Sequence, residues 1–154
     1  MAIFIKYTVN CCILFVRHRL GEEKFYGNGS DYDIDTSRPF TVVTEFVTAD
    51  NTDSTDLVEI RRSYKQDGKT IEQPKVQVNG NNYDSITDDF CRDEALEFNI
   101  PNDQYSYQYS DFEKHGGMAS VSAALDRGLV LVMSLWDDHY ANMLWLDSVR
   151  TAIL

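Results

Sequence analysis

An all-β chain is what this sequence predicts, and three observations carry that expectation. Residues 41–47 are rich in β-branched side chains, residues 57–64 alternate apolar with polar and run into Asp67-Gly68, and residues 129–136 are apolar apart from Ser134. β-Branched and alternating stretches fit the pleated, half-buried surface of a sheet. Asp-Gly is a hairpin pair because both residues tolerate the positive φ of a tight two-residue turn. An apolar run of about eight residues, closed by Gly128 and Asp137-Asp138, has the length of a strand rather than a helix.

Taken in order, the chain opens with residues 1–16, apolar except for Lys6, Tyr7, Thr8 and Asn10, followed by Arg17-His-Arg19. That run is shorter than the roughly 20 residues a membrane span needs. Its basic cluster follows the apolar stretch, whereas a signal peptide puts the charge first and a small-residue cleavage site last. Tyr26-Gly-Asn-Gly-Ser30 is turn chemistry, and Asp31-Tyr-Asp-Ile-Asp35 alternates acid with apolar, so the region reads as a hairpin. A calcium loop counted from Asp31 fails, because its sixth and twelfth places need Gly and Glu and hold Thr36 and Val42.

Residues 41–47 are the first long strand and residues 49–56 a polar, acidic loop with no apolar anchor. In residues 57–64 the alternation places Val58, Ile60 and Tyr64 on one face and Glu59, Arg61 and Ser63 on the other. Asp67-Gly68 turns the chain into residues 69–72, and residues 76–78 with Asn79-Gly80 repeat the pattern. Residues 85–98 are acidic, contain Cys91, and suit one or two helical turns. Ser110-Asp-Phe-Glu113 fits a capping box. Met118, Val121 and Leu125 lie at helical spacing, with Gly128 as the stop.

In the strand expected at residues 129–136, Leu129, Leu131, Met133 and Leu135 share one face, and Val130, Val132, Ser134 and Trp136 the other. Trp145 follows past a polar turn. Two indoles along one edge of a sheet suit a ligand with flat apolar faces and polar rims, as a pyranose ring is. Two tryptophans packed in a core are the plainer account on composition alone.

Ser134-Leu-Trp-Asp-Asp-His-Tyr-Ala-Asn-Met-Leu-Trp-Leu-Asp-Ser148 closely resembles a segment of glycoside hydrolase family 7, the fungal-type cellobiohydrolases and their endoglucanase relatives. Further blocks resemble the same family in the same order. They are Arg19-Leu-Gly21 with Phe25-Tyr-Gly27, Pro39-Phe-Thr-Val-Val-Thr-Glu-Phe46, Glu59-Ile-Arg-Arg-Ser-Tyr64, Ser85-Ile-Thr-Asp-Asp-Phe-Cys91 and Lys114-His-Gly-Gly-Met118. The resemblance covers residues 19–148. It implies a partial catalytic domain there, with residues 1–18 and 149–154 as non-family ends that read as a translated intron or a misplaced start. It also implies part of a concanavalin-like jelly-roll β-sandwich with short helices.

The resemblance assigns roles to individual residues. Trp136 matches the sugar-stacking platform on the non-reducing side of the cleavage point, and Trp145 the platform beyond it. Arg19 matches an arginine of the product side, where its fork of donors bridges hydroxyls. Asp137 matches a carboxylate that accepts from hydroxyls near the first platform. Arg150 stands where the family has a product-site tyrosine. The blocks resemble cellobiohydrolases more than endoglucanases.

Retaining cleavage needs two carboxyl groups about 5–5.5 Å apart, which the family carries in a Glu-x-Asp-x-x-Glu motif. No glutamate of this chain is followed two places later by aspartate. Asp137 and Asp138 are no substitute, because neighbours in a strand point to opposite faces. The expectation is a cellulase chain with a sugar-binding wall, no catalytic residue, and no hydrolysis on its own. The alternative is a non-catalytic, lectin-like glucan-binding remnant, and a third reading is that so partial a sandwich does not fold.

Composition agrees with a neutral polymer as partner. A net charge of −11 excludes the basic footprint that nucleic acid and anionic membranes require. His18, His115 and His139 lack metal-ligand spacing, and the resemblance implies neither a metal nor an organic cofactor. By resemblance the protein is secreted and monomeric, acting on cellulose or cello-oligosaccharides. Asn28-Gly-Ser30 is a glycosylation acceptor sequence. The chain has 3 cysteines; the resemblance puts the partner of Cys91 at Ile13, next to Cys12, and that offset argues against a Cys12–Cys91 bridge.

Overall fold

The computed structural model of the chain describes residues 21–97 and 111–130. The long strands form where β-branched and alternating residues predicted them: β3 is Thr41–Thr48, β4 is Leu57–Gln66 and β5 is Lys69–Glu72. They make one antiparallel sheet in the order β3-β4-β5. Asp67 and Gly68 adopt φ of 52° and 74°, the pair of left-handed residues whose twist matches that of the flanking strands. Asn79 and Gly80, at φ 48° and 79°, make the same turn between β6 (Val76–Val78) and β7 (Asn81–Tyr83).

The β3–β4 loop, polar and without an apolar anchor, is organised by one carboxylate. Asp50 Oδ1 accepts from the Thr52 N–H at 2.9 Å, the Thr52 hydroxyl at 2.7 Å and the Thr55 hydroxyl at 2.6 Å. At its exit the register shifts: Thr48 faces Leu57 and Val47 faces Glu59, which leaves Val58 as a bulge. The expected face for Val58 is therefore wrong. The extra residue pushes Val58 out, 44% exposed, and turns Leu57 into the core beside Ile60.

The turn region departs further from the hairpin reading. Strand β1 (Tyr26–Gly27) pairs with β2 (Ile34–Asp35) in parallel, not antiparallel. A buried polar knot around Asp35 accompanies this pairing. Asp35 accepts from the Gly29 N–H at 2.9 Å and from the N–H and hydroxyl of Ser37 at 3.0 and 2.6 Å. The Gln66 side chain both donates to the Asp35 carbonyl at 2.8 Å and accepts the Asp35 N–H at 3.0 Å. The parallel pair keeps a backbone ladder, the Ile34 N–H on the Phe25 carbonyl at 3.0 Å and the Thr36 N–H on the Gly27 carbonyl at 2.8 Å, and the Gln66 amide pins Asp35 to β4 beside it.

Three helices complete the described chain: α1 (Asp88–Glu97), α2 (Asp111–Lys114) and α3 (Gly117–Asp126). At 10 residues, α1 is nearly three turns by the 3.6-residue period, longer than expected, because Thr87 Oγ1 caps it through the Phe90 N–H at 3.1 Å. Gly128, φ 82°, ends α3 as predicted, with its N–H on the Leu125 carbonyl at 2.8 Å. Leu57, Ile60, Val76, Val78, Phe90, Cys91, Phe112, Met118 and Val121 form the main core, and Phe25, Ile34 and Tyr64 a smaller one. Strand β4 contributes to both.

Two sequence readings meet the structure here. Cys91 is buried and disulfide-bonded; the sequence left its pairing open and argued only against Cys12 as the partner. Its partner lies outside the described residues. Leu129 and Val130, the described start of the strand expected at residues 129–136, lie in no strand and are 44% and 88% exposed; the rest of that stretch, like the capping serine Ser110, lies outside the described residues.

Candidate functional site

The four candidate sugar contacts, Arg19, Trp136, Asp137 and Trp145, lie outside the described residues, as do His18 and His139. What the structure describes is how the segments leading to them are held. Past Arg19 the chain reaches Phe25, whose ring meets Tyr64 edge-on with centroids 5.5 Å apart. Ahead of Trp136 stands α3, whose Met118 and Val121 pack in the core with Leu57 and Ile60. Both leads are therefore anchored on β4, one at Tyr64 and the other at Leu57 and Ile60. The anchors come from opposite ends of the sequence and share one strand.

Two details fix the second anchor. The Met118 N–H, at the start of α3, donates to Asp88 Oδ1 at 2.8 Å, so α3 begins on the first residue of α1. Gly117 must be glycine for this: its φ is 53°, and a Cβ there would overlap the Asp88 carboxylate.

A second polar knot ties the β6–β7 hairpin to α1. Asp93 accepts from the Tyr83 hydroxyl, from Asn81 Nδ2 at 2.7 Å and from Asn79 Nδ2 at 3.2 Å. The Asn79 N–H donates to Glu97 at 2.9 Å. Sequence reading missed this knot, although the every-second-residue spacing of Asn79, Asn81 and Tyr83 on a short hairpin was a usable signal.

The electrostatics follow from these donors. The Tyr83 hydroxyl, then the two asparagine amides, hold Asp93 below the usual carboxylate range. Asp35 is held well below it, first by the Ser37 hydroxyl, and Glu59 is lowered chiefly by Arg61, 2.6 Å away. Tyr83 is pushed up to about 12, first by burial and then by its bond to Asp93. A general acid needs a carboxyl raised toward the working pH. The lowered acids are the wrong way round for that task, and their chemistry is structural.

His115 is exposed beside α2. No cluster of three or more metal-ligating side chains occurs among the described residues. Asn28 is exposed in the turn between β1 and β2.

Comparison with known proteins supplies the class. The sequence model of the family described as "Glycosyl hydrolase family 7" matches residues 9–152, beyond both ends of the blocks that carry the resemblance. Exoglucanase GH7B of Limnoria quadripunctata is 46% identical over 136 residues, 87% of this chain and 27% of that protein. A solved family 7 cellobiohydrolase of Daphnia pulex superposes with a TM-score of 0.71 at 43% identity, over 83% of this chain and 27% of that one. A solved endoglucanase I complexed with cellobiose gives 0.67 at 32% identity, over 85% of this chain and 29% of that one. The chain belongs to glycosyl hydrolase family 7. It spans little more than a quarter of the length of the relatives it matches.

Proposed function

We propose that this chain is the part of a secreted β-1,4-glucan hydrolase, of cellobiohydrolase type, that grips the sugar chain. Trp136 and Trp145 stack on successive glucose rings, Arg19 donates to hydroxyls on the product side, and Asp137 accepts from hydroxyls beside the first platform. The observation that carries this reading is the 46% identity to an exoglucanase, across a stretch that includes most of this chain. The cellobiose complex of the matching endoglucanase supports the ligand class. The framework is the jelly-roll sandwich of the family, and β4, which anchors both approaches to the site, is one of its strands.

Cleavage with retention would use the two carboxyl groups of the family motif. Residues 1–154 contain no Glu-x-Asp-x-x-Glu, and the described acids with resolved shifts are lowered rather than raised. The chain by itself therefore binds glucan without hydrolysing it. That absence also favours the second reading, a glucan-binding module without chemistry of its own. Titrating the folded chain with cello-oligosaccharides while following tryptophan emission tests the binding. Wild type responds saturably, and Trp136→Ala and Trp145→Ala each lose roughly tenfold in affinity, equivalent to about 1.4 kcal/mol. An unchanged emission from folded wild-type protein refutes the assignment. A reducing-sugar assay on the same samples tells the two readings apart from an active enzyme.

A further inference from the structure

We infer that Asn28 carries an N-linked oligosaccharide, an inference resting on the secretory route proposed above. Asn28-Gly-Ser30 is the one Asn-x-Ser/Thr sequence in the chain, and the fold presents it to solvent. Asn28 and Ser30 are exposed. The backbone between them is fixed: the Gly29 N–H is held by Asp35 at 2.9 Å, and the Gly29 carbonyl accepts the Tyr32 N–H at 3.4 Å. Gly29, at φ 107°, has nothing within 4 Å of where a Cβ would stand.

The carboxamide of Asn28 is not engaged by protein groups among the described residues. This sets it apart from Asn79 and Asn81, whose amides are committed to Asp93 at 3.2 and 2.7 Å. A sugar on either of those would break the knot between hairpin and helix. A sugar on Asn28 removes no hydrogen bond and enters no core, so the glycosylated chain folds as the bare chain does.

The donor is a polyprenyl-pyrophosphate-linked oligosaccharide. The Asn28 amide nitrogen attacks the anomeric carbon of the first sugar, the N–C bond forms as the bond to the pyrophosphate oxygen breaks, and the amide gives up one proton to a base. The polyprenyl pyrophosphate leaves. No oxidant or reductant is consumed.

The test is expression of the full chain behind a secretory leader in a eukaryotic host, followed by peptide-N-glycosidase treatment and electrophoresis. Wild type loses one glycan's step in mobility on treatment; Asn28→Gln and Ser30→Ala migrate at the treated position from the outset. Asp53→Asn, which completes an Asn-Ser-Thr acceptor in the exposed β3–β4 loop, reports arrival at the transferase and adds a second step. Because the leader is supplied, the result does not depend on glucan binding or on the native route. A shift in Asp53→Asn that is a single step and survives Asn28→Gln, or a wild-type step that survives Asn28→Gln, overturns the inference.

Discussion

Ser122 on α3 accepts the buried backbone N–H of Leu57 through its hydroxyl at 3.0 Å, across a sequence separation of 65 residues. Leu57 is the residue that the bulge at Val58 turns inward, so its N–H has lost its regular ladder partner. The helix supplies what the sheet withdrew. Ser122→Ala leaves that donor buried and unpaired, and the expected cost is about 1–3 kcal/mol. Urea unfolding of the two proteins measures it. Equal midpoints would show that the bond contributes nothing and that α3 is held on β4 by apolar contact alone.

The two polar knots set a pH window. Asp35 and Asp93 titrate lower in the fold than the ordinary 3.8, so their stabilisation is whole above that value and is lost as pH falls through the folded values. Tyr83 has the opposite sign: raised from 10.0 to about 12, it contributes fully below 10 and loses that contribution as pH rises toward 12. Thermal unfolding followed across pH is expected to show a plateau that falls away in acid below about pH 4 and in alkali above about pH 10. In Asp93→Asn, ultraviolet titration of Tyr83 moves down yet stays above an ordinary tyrosine, because burial is the larger cause. A Tyr83 titration unmoved by that substitution would contradict the hydrogen bond.

The strands were legible because each depended on a few neighbouring residues. Asp67-Gly68 and Asn79-Gly80 announce their turns in two letters, and Met118, Val121 and Leu125 announce a helix by spacing alone. What was not legible depended on partners far away in sequence. Gln66 pins β2 to β4 by bonding the Asp35 backbone across 31 residues, and no local pattern in residues 26–35 encodes that. The bulge at Val58 is of the same kind, since strict alternation put Val58 inward and only pairing with β3 reveals the extra residue. The candidate site came from family resemblance rather than periodicity, and its four residues lie outside the described ones. On composition alone the indoles at Trp136 and Trp145 read better as core; only the resemblance of the surrounding blocks implies a role for them.

Gly117 tests how tightly α3 is seated. Its left-handed φ and the Asp88 carboxylate standing where a side chain would begin make it intolerant of alanine for two separate reasons. Gly117→Ala is expected to cost about 2 kcal/mol, of which the backbone strain alone is about 1–2, and to break the Met118–Asp88 bond. Asp88→Ala in the Gly117→Ala background relieves the overlap and leaves only the strain, so the double variant is expected to be more stable than the sum of the single changes. Strict additivity would mean that the alanine is accommodated without meeting Asp88.

Cys91 supplies the last prediction. It sits in the main core on α1, next to Phe90 and two residues before Asp93, which holds the hairpin. With 3 cysteines in the chain, a bridge from Cys91 goes to Cys11 or Cys12 and leaves one thiol unpaired. Non-reducing peptide mapping is expected to find Cys91 joined to the peptide that holds both, with one thiol per chain open to alkylation. Cys91→Ser is expected to lower stability by roughly 2–4 kcal/mol, and so is reduction of the wild type. The single substitutions Cys11→Ser and Cys12→Ser separate the candidates, since only the true partner's loss reproduces the Cys91→Ser midpoint. Three alkylatable thiols in folded, unreduced protein would rule the bridge out.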